Sequence, residues 1–287
     1  MKFRRRQAPF WKFTKRHPVP FRKGAWRRLV FPFGFSLVLL FNFGCNKTWD
    51  ILSESERATL HRVLAHWETW MPAEKAGGSA PLAAFKELYA GLDDEAGKFL
   101  DRVRAINPKK SFGFRGDYLG TSSEGISFKR IENQPVQKNG SAEKLDPQYL
   151  PEEVYEAYGR MMQEMERDLG KKLLVESGYR SPAYQLYTFL YYLPKHGYSL
   201  VETGHWIALP GYSEHGAPRR QAIDFINEAG INGEDRVEDF EALPEYGWLL
   251  KNAASYGFEL SYPRGKKGIT FEPWHWRYEN PKSSRNL

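Results

Sequence analysis

The stretch FELSYPRGKKGITFEPWHWRY, residues 258–278, decides the architecture. Phe258–Tyr262 and Ile269–Phe271 read as two strands around Pro263–Gly268, whose Pro and Gly content is that of a hairpin turn. Upstream, Tyr246–Tyr256 reads as a helix stopped by Gly257, and Gln221–Ile226 and Lys172–Ser177 as short strands. Ala183–Leu193 returns to helix, ending before Pro194. Glu152–Leu169 is helical by period, with Val154, Tyr158, Met161, Met162 and Met165 on one face. These methionines read as core filling rather than as a cofactor box. Helices and antiparallel strands follow one another without regular βαβ alternation. The predicted class is therefore α+β, a small antiparallel sheet flanked by helices.

A helical amino-terminal region precedes this. In Ile51–Met71 the residues Leu60, Val63, Leu64, Trp67 and Met71 recur at helical spacing, and Ser53 with Glu56 forms a capping-box signature. Pro72–Pro81 reads as a break, Leu82–Ile106 as one or two further amphipathic helices, and Asn107–Pro147 as irregular linker. Three segments result: 1–44, a basic tail with an export signal or anchor; 45–148, a helical region and linker with no readable motif; and 149–287, the domain that carries the chemistry.

The formal net charge is +7, but residues 1–28 contain eleven Lys or Arg and no acid, which leaves −4 for the rest. A mildly acidic body without a basic patch of interleaved aromatics argues against nucleic acid as a partner. The tail runs into Leu29–Phe43, uncharged and strongly apolar, and then Gly44-Cys45. This is the layout of a secretory signal, and the run is short for a bilayer span of roughly 20 residues. Gly44-Cys45 resembles a bacterial lipoprotein processing site, although Asn42 stands where that pattern prefers an aliphatic residue. The expectation is an exported protein of the periplasm or cell envelope. It meets the membrane through a lipidated Cys45, a cleaved signal or an uncleaved anchor. Cys45 is the only cysteine, so no intrachain disulfide can form.

Two clusters carry chemistry. His215 lies on a Gly- and Pro-rich loop, and Asp224 lies between Ile223 and Phe225 in a strand-like piece, where a buried carboxylate needs a partner. Glu272-Pro-Trp-His275-Trp276 forms the second, with Trp274 and Trp276 expected to exclude water and fix the histidine ring. Taken singly, each cluster is compatible with a structural ion pair. Together, His215, Asp224 and His275 supply the three His or carboxylate ligands of a catalytic zinc, and Glu272 supplies a non-ligating base in a cleft.

Ser177-Gly-Tyr-Arg-Ser181, Ser213-Glu-His215 leading to Asp224, and Glu272-Pro-Trp-His-Trp276, in that order, resemble the three motifs of the VanY-type D-alanyl-D-alanine carboxypeptidases. Trp248–Tyr278 is similar throughout, and the resemblance covers roughly residues 150–280. It implies a zinc-dependent carboxypeptidase removing the terminal D-alanine of peptidoglycan stem peptides. His215, Asp224 and His275 would hold Zn2+, Glu272 would be the base, and Arg180 would contact substrate and the developing oxyanion. Gln185 and Ser213 match positions that line the peptide site, although Ser213 is equally placed to cap its loop. The same motifs also serve L,D-carboxypeptidases, dipeptidases and endopeptidases, and a wall-binding module that has lost catalysis would keep them. One departure stands out: the family places the Asp seven residues after the His, whereas Asp224 follows His215 by nine, the extra length falling around Pro218-Arg219-Arg220. Arg219 and Arg220 thus become candidates for acidic groups on the substrate, or simply solvated. His61, His66 and His205 match nothing.

Overall fold

Ser53 opens the first helix as its spacing to Glu56 predicts. Its backbone N–H donates to Glu56 Oε2 at 2.8 Å while its own Oγ accepts from Glu56 N at 3.3 Å. The computed structural model describes residues 50–114, 116–119, 125–138, 140–265 and 270–279, all within the compact unit Lys47–Leu287. The basic tail, Leu29–Phe43 and Cys45 lie outside the described residues. Helix α1 (Glu54–Glu68) is followed by α2 (Met71–Gly77), α3 (Phe85–Tyr89), α4 (Asp94–Arg104) and α5 (Pro108–Ser111). The expected break at Pro72–Pro81 is instead α2 and a 3-10 turn, Ala80–Leu82. Pro72 sits in the first helical turn, where its missing N–H costs no hydrogen bond.

The expected linker holds three strands: β1 (Phe128–Ile131), which pairs antiparallel with β4 (Gln148–Pro151) just beyond it, and β2 (Pro135–Lys138), which pairs with β3 (Ser141–Lys144). β3 is exposed along its length, so no apolar alternation announced it. The remainder is α6 (Glu152–Leu169), β5 (Leu173–Ser177), α7 (Pro182–Tyr192), α8 (Leu200–Trp206), β6 (Ala222–Asn227), α9 (Val237–Glu241), α10 (Pro244–Asn252), β7 (Phe258–Leu260) and β8 (His275–Tyr278). The main sheet is antiparallel in the order β5-β6-β8-β7. The α+β expectation holds in this described part.

The hairpin in 258–278 is real, but its second strand is not Ile269–Phe271. β7 pairs with β8, Phe258 opposite Tyr278 and Leu260 opposite Trp276. Residues 266–269 lie outside the described residues, and Thr270 and Phe271 are not in a strand. The motif residues His275–Tyr278 themselves are the strand.

Two large clusters and a small third one, Val136, Leu145, Leu174 and Ile226, hold these layers among the described residues. Leu60, Val63, Trp67 and Leu100 of the amino-terminal helices pack in one cluster with Leu186 and Phe189 of α7. Met161 and Met165 of α6 pack with Val175, Phe225, Phe258 and Trp276 beneath the sheet, which bears out the core role of the methionines. Strand alternation places Ile223 and Phe225 in that core and turns Asp224 to the other face. No helix among the described residues is long and apolar enough to cross a membrane.

Candidate metal centre

Register brings two of the candidate ligands together. Asp224 in β6 is paired directly with His275 in β8, and Ser177 at the end of β5 flanks Asp224 on the other side. Side chains opposite one another on one face of an antiparallel pair approach closely, and His275 Nδ1 lies 2.7 Å from Asp224 Oδ1. His215 comes from a 3-10 turn, Glu214–Gly216, and places Nε2 3.0 Å from Asp224 Oδ2. One donor atom from each residue falls within 4.8 Å of the others. The nine-residue step is absorbed by this turn and a second one, Pro218–Arg220, so the longer loop leaves Asp224 in place.

The proton arrangement shows what these residues suit. His215 Nδ1 is 2.8 Å from Gly178 O, and a carbonyl only accepts, so Nδ1 carries the hydrogen. Burial, then the Arg180 guanidinium, push the His215 pKa down against the pull of Asp224, so the ring is neutral. Its Nε2 is therefore a bare lone pair, buried, without a hydrogen-bond partner among the described residues, and facing a carboxylate oxygen. Two acceptors at that distance repel, and a cation between them resolves the conflict. Burial opposes the charge of Asp224, but His215 and His275 outweigh it and hold its carboxyl far below the usual range. Burial likewise disfavours the His275 imidazolium, yet Asp224 and Glu214 push its pKa up to about 10. Two nitrogens and a carboxylate, deeply buried, are the donor set of a three-ligand zinc site.

Glu272 stands beside this centre without joining it. Its carboxylate makes no hydrogen bond or ion pair among the described residues, and its backbone N–H donates to Tyr262 O at 3.1 Å. Burial raises its pKa to about 7, with His275 opposing and Asp224 adding to the rise. A half-buried carboxyl titrating near neutrality is a competent proton acceptor. Arg180 donates its backbone N–H to His215 O at 3.0 Å, and its Nε is buried without a hydrogen-bond partner among the described residues. Gln185 is buried on α7, its Nε2 donating to Ala208 O at 2.6 Å while Oε1 stays unpartnered. Ser213 Oγ accepts from His215 N at 3.3 Å, the loop cap foreseen for it.

Two expectations need correction. Trp276 does not frame His275, because alternation sends it into the core beneath the sheet. The ring beside His275 is Tyr262, at 4.9 Å between centroids. Arg220 is not free for substrate, since its guanidinium holds Glu279 at 2.6 Å. His61, His66 and His205 bond to Tyr198, Ala90 O and Glu202, away from the centre.

Sequence reasoning missed Glu214. Its Oε2 lies 3.1 Å from His275 Nε2, and Arg277 Nη1 donates to its Oε1. Burial would raise its pKa, but the hydrogen bond and charge of His275, with Ser261 and Arg277 behind them, hold it at about 2. Arg277 also holds Glu279, so a charged chain runs Arg220–Glu279–Arg277–Glu214–His275. Period-two spacing puts Arg277 on the face of His275, which was the available signal.

Residues 147–281 match the family model VanY, described as D-alanyl-D-alanine carboxypeptidase. YodJ of Bacillus subtilis (strain 168) is 32% identical over 146 residues, 50% of this chain and 51% of YodJ. The bifunctional D-Ala-D-Ala dipeptidase and carboxypeptidase VanXYC of Enterococcus gallinarum is 29% identical over 163 residues, 51% of this chain and 80% of that protein. Among solved structures, the LdcB LD-carboxypeptidase is similar at 29% identity and a TM-score of 0.40, over 48% of this chain and 63% of its own. The chain thus spans about half the length of YodJ. The matched segment begins just before β4 and ends just after β8, enclosing His215, Asp224, His275, Glu272 and Arg180. Residues 147–281 of this chain thus match the VanY model of D-alanyl-D-alanine carboxypeptidases.

Proposed function

We propose that the chain is a zinc-dependent carboxypeptidase that removes the terminal D-alanine from peptidoglycan stem peptides. The observation that carries this is the buried, mutually repelling pair His215 Nε2 and Asp224 Oδ2, closed by His275 and flanked by a carboxyl that titrates near 7. The family description and the D-Ala-D-Ala activities named for VanXYC support the substrate class.

His215, Asp224 and His275 would hold the ion through Nε2, a carboxylate oxygen and Nδ1. Bound there, zinc supplies Lewis acidity at the scissile carbonyl and a lowered pKa for water. Glu272 accepts a proton on its carboxylate and later passes it to the leaving amine, a role its pKa near neutrality suits. Arg180 offers a fixed guanidinium with a spare donor to the developing oxyanion. Glu214 keeps His275 turned with Nδ1 toward Asp224 by accepting from Nε2–H. For localisation we propose the cell envelope, on the basic tail, the apolar run and Gly44-Cys45.

Replacing Glu272 by Gln tests the assignment. The variant should bind zinc like the wild type and lose turnover by on the order of a hundredfold or more. Undiminished turnover would remove Glu272 from the mechanism.

A further inference from the structure

Arg180 and Ser177 line a cleft of about 290 Å³ that does not end within the VanY-type segment. Its wall includes Lys75 of α2, a residue outside 147–281. Lys75 Nζ lies 4.7 Å from the ring centre of Tyr187, 5.6 Å from that of Tyr191 and 5.9 Å from that of Tyr184. These tyrosines recur at 184, 187 and 191 along one face of α7, with Tyr184 and Tyr187 stacked at 5.6 Å and 11°. They make a stiff aromatic wall that fixes the ammonium. Among the described residues it donates a hydrogen bond to Tyr187 Oη at 3.2 Å. Neither Lys75 nor Arg180 has an ion-pair partner among the described residues. Asp146 is near enough for Lys75 to feel its charge, yet burial prevails and lowers the Lys75 pKa.

A half-buried cation without a carboxylate partner, held against aromatic faces in an open cleft, suits an anion brought by a ligand. Arg180, whose charge reaches His215, lines the same cleft, which sets the cleft beside the metal centre. A carboxypeptidase releases a single residue, and the rest of its substrate lies on the acyl side of the scissile bond. We propose that Lys75 and the Tyr184–Tyr187–Tyr191 wall form a subsite for a carboxylate-bearing residue of the peptide upstream of the bond that is cut. This rests on the peptidase reading above. It gives the amino-terminal helical region a part in substrate selection.

The test uses the full chain with two peptides differing in one group: acetyl-γ-D-Glu-L-Lys-D-Ala-D-Ala and its amide, with γ-D-isoglutamine in place of γ-D-Glu. Affinity is read by calorimetry on the zinc-loaded Glu272→Gln protein, and KM and kcat on the parent protein. The acid peptide should bind on the order of tenfold tighter than the amide, the usual worth of a charge-assisted hydrogen bond. Lys75→Gln should erase that difference while leaving the amide peptide within about twofold, and Lys75→Arg should keep it. Equal affinities in the parent, or equal losses for both peptides in Lys75→Gln, would overturn the subsite. Carboxylate-selective binding with no cleavage by the parent protein would keep the subsite and overturn the peptidase reading instead.

Discussion

Removing the charge of Glu214 should loosen the metal centre without unfolding the protein. Glu214 is 11% exposed and His275 7%, and the 3.1 Å contact between Oε2 and Nε2 is thus made almost out of water. With Nδ1 committed to a cation, Nε2 carries the hydrogen, and Glu214 fixes both the tautomer and the ring orientation. Loss of such an outer carboxylate typically weakens metal binding about 10–100-fold. Glu214→Gln keeps an oxygen acceptor and should fall near tenfold. Glu214→Ala removes the acceptor and should approach a hundredfold. Arg277 keeps Glu279 as a partner in either variant, so no cation is stranded and the melting temperature should move little. The assay is competition for zinc against a chromogenic chelator, alongside thermal melting of the metal-free protein. Parent-like zinc affinity in both variants would refute the positioning role. A large drop in melting temperature without a change in affinity would make Glu214 merely structural.

Further outcomes follow from the same geometry. Burial raises the Glu176 pKa to about 7 from 4.5, against Asn232 and Lys138. The folded state therefore holds this proton more tightly, and stability should fall as pH rises from about 4.5 to 7, by about 1–3 kcal/mol. Glu176→Gln should flatten that slope in urea melts at pH 5 and pH 8, and an unchanged slope would show that Glu176 titrates normally. A Cβ at Gly233 would collide with the indole ring of Trp274, so Gly233→Ala should cost about 1–3 kcal/mol. Equal melting temperatures would mean the ring moves freely. Phe225 is fully buried beneath Asp224, and Phe225→Ala should cost about 3–5 kcal/mol in denaturant unfolding. A cost below 1 kcal/mol would mean that the core collapses around the gap.

Much of this was legible because local chemistry and global fold agree. Glu152–Leu169 shows its helical face plainly and is a helix over those same residues. Ser53 and Glu56 announced their cap, and Gly257 closes the turn after α10 at φ 85°, as a left-handed position demands. His215, Asp224 and His275 were found from residue type and motif order, and register then explains their meeting. What failed had no one-dimensional signal. β3 is wholly exposed, and nothing in its composition marks a strand. β8 was hidden because its residues read as a catalytic motif, although alternation of His275 and Arg277 with Trp276 and Tyr278 was there to be read. Glu214 was passed over since its partners lie 61 and 63 residues away. The Lys75 cleft joins residues from α2 and α7 that no spacing connects.

The most direct test of the central claim is mass spectrometry of a stem pentapeptide ending in D-Ala-D-Ala, incubated with the zinc-loaded full chain. A tetrapeptide stem is run beside it. The account predicts loss of one alanine from the pentapeptide, abolished by chelator and by Glu272→Gln. Loss from the tetrapeptide alone would point to L,D-cleavage, and release of the D-Ala-D-Ala dipeptide to a dipeptidyl activity. Two intact peptides would contradict the account.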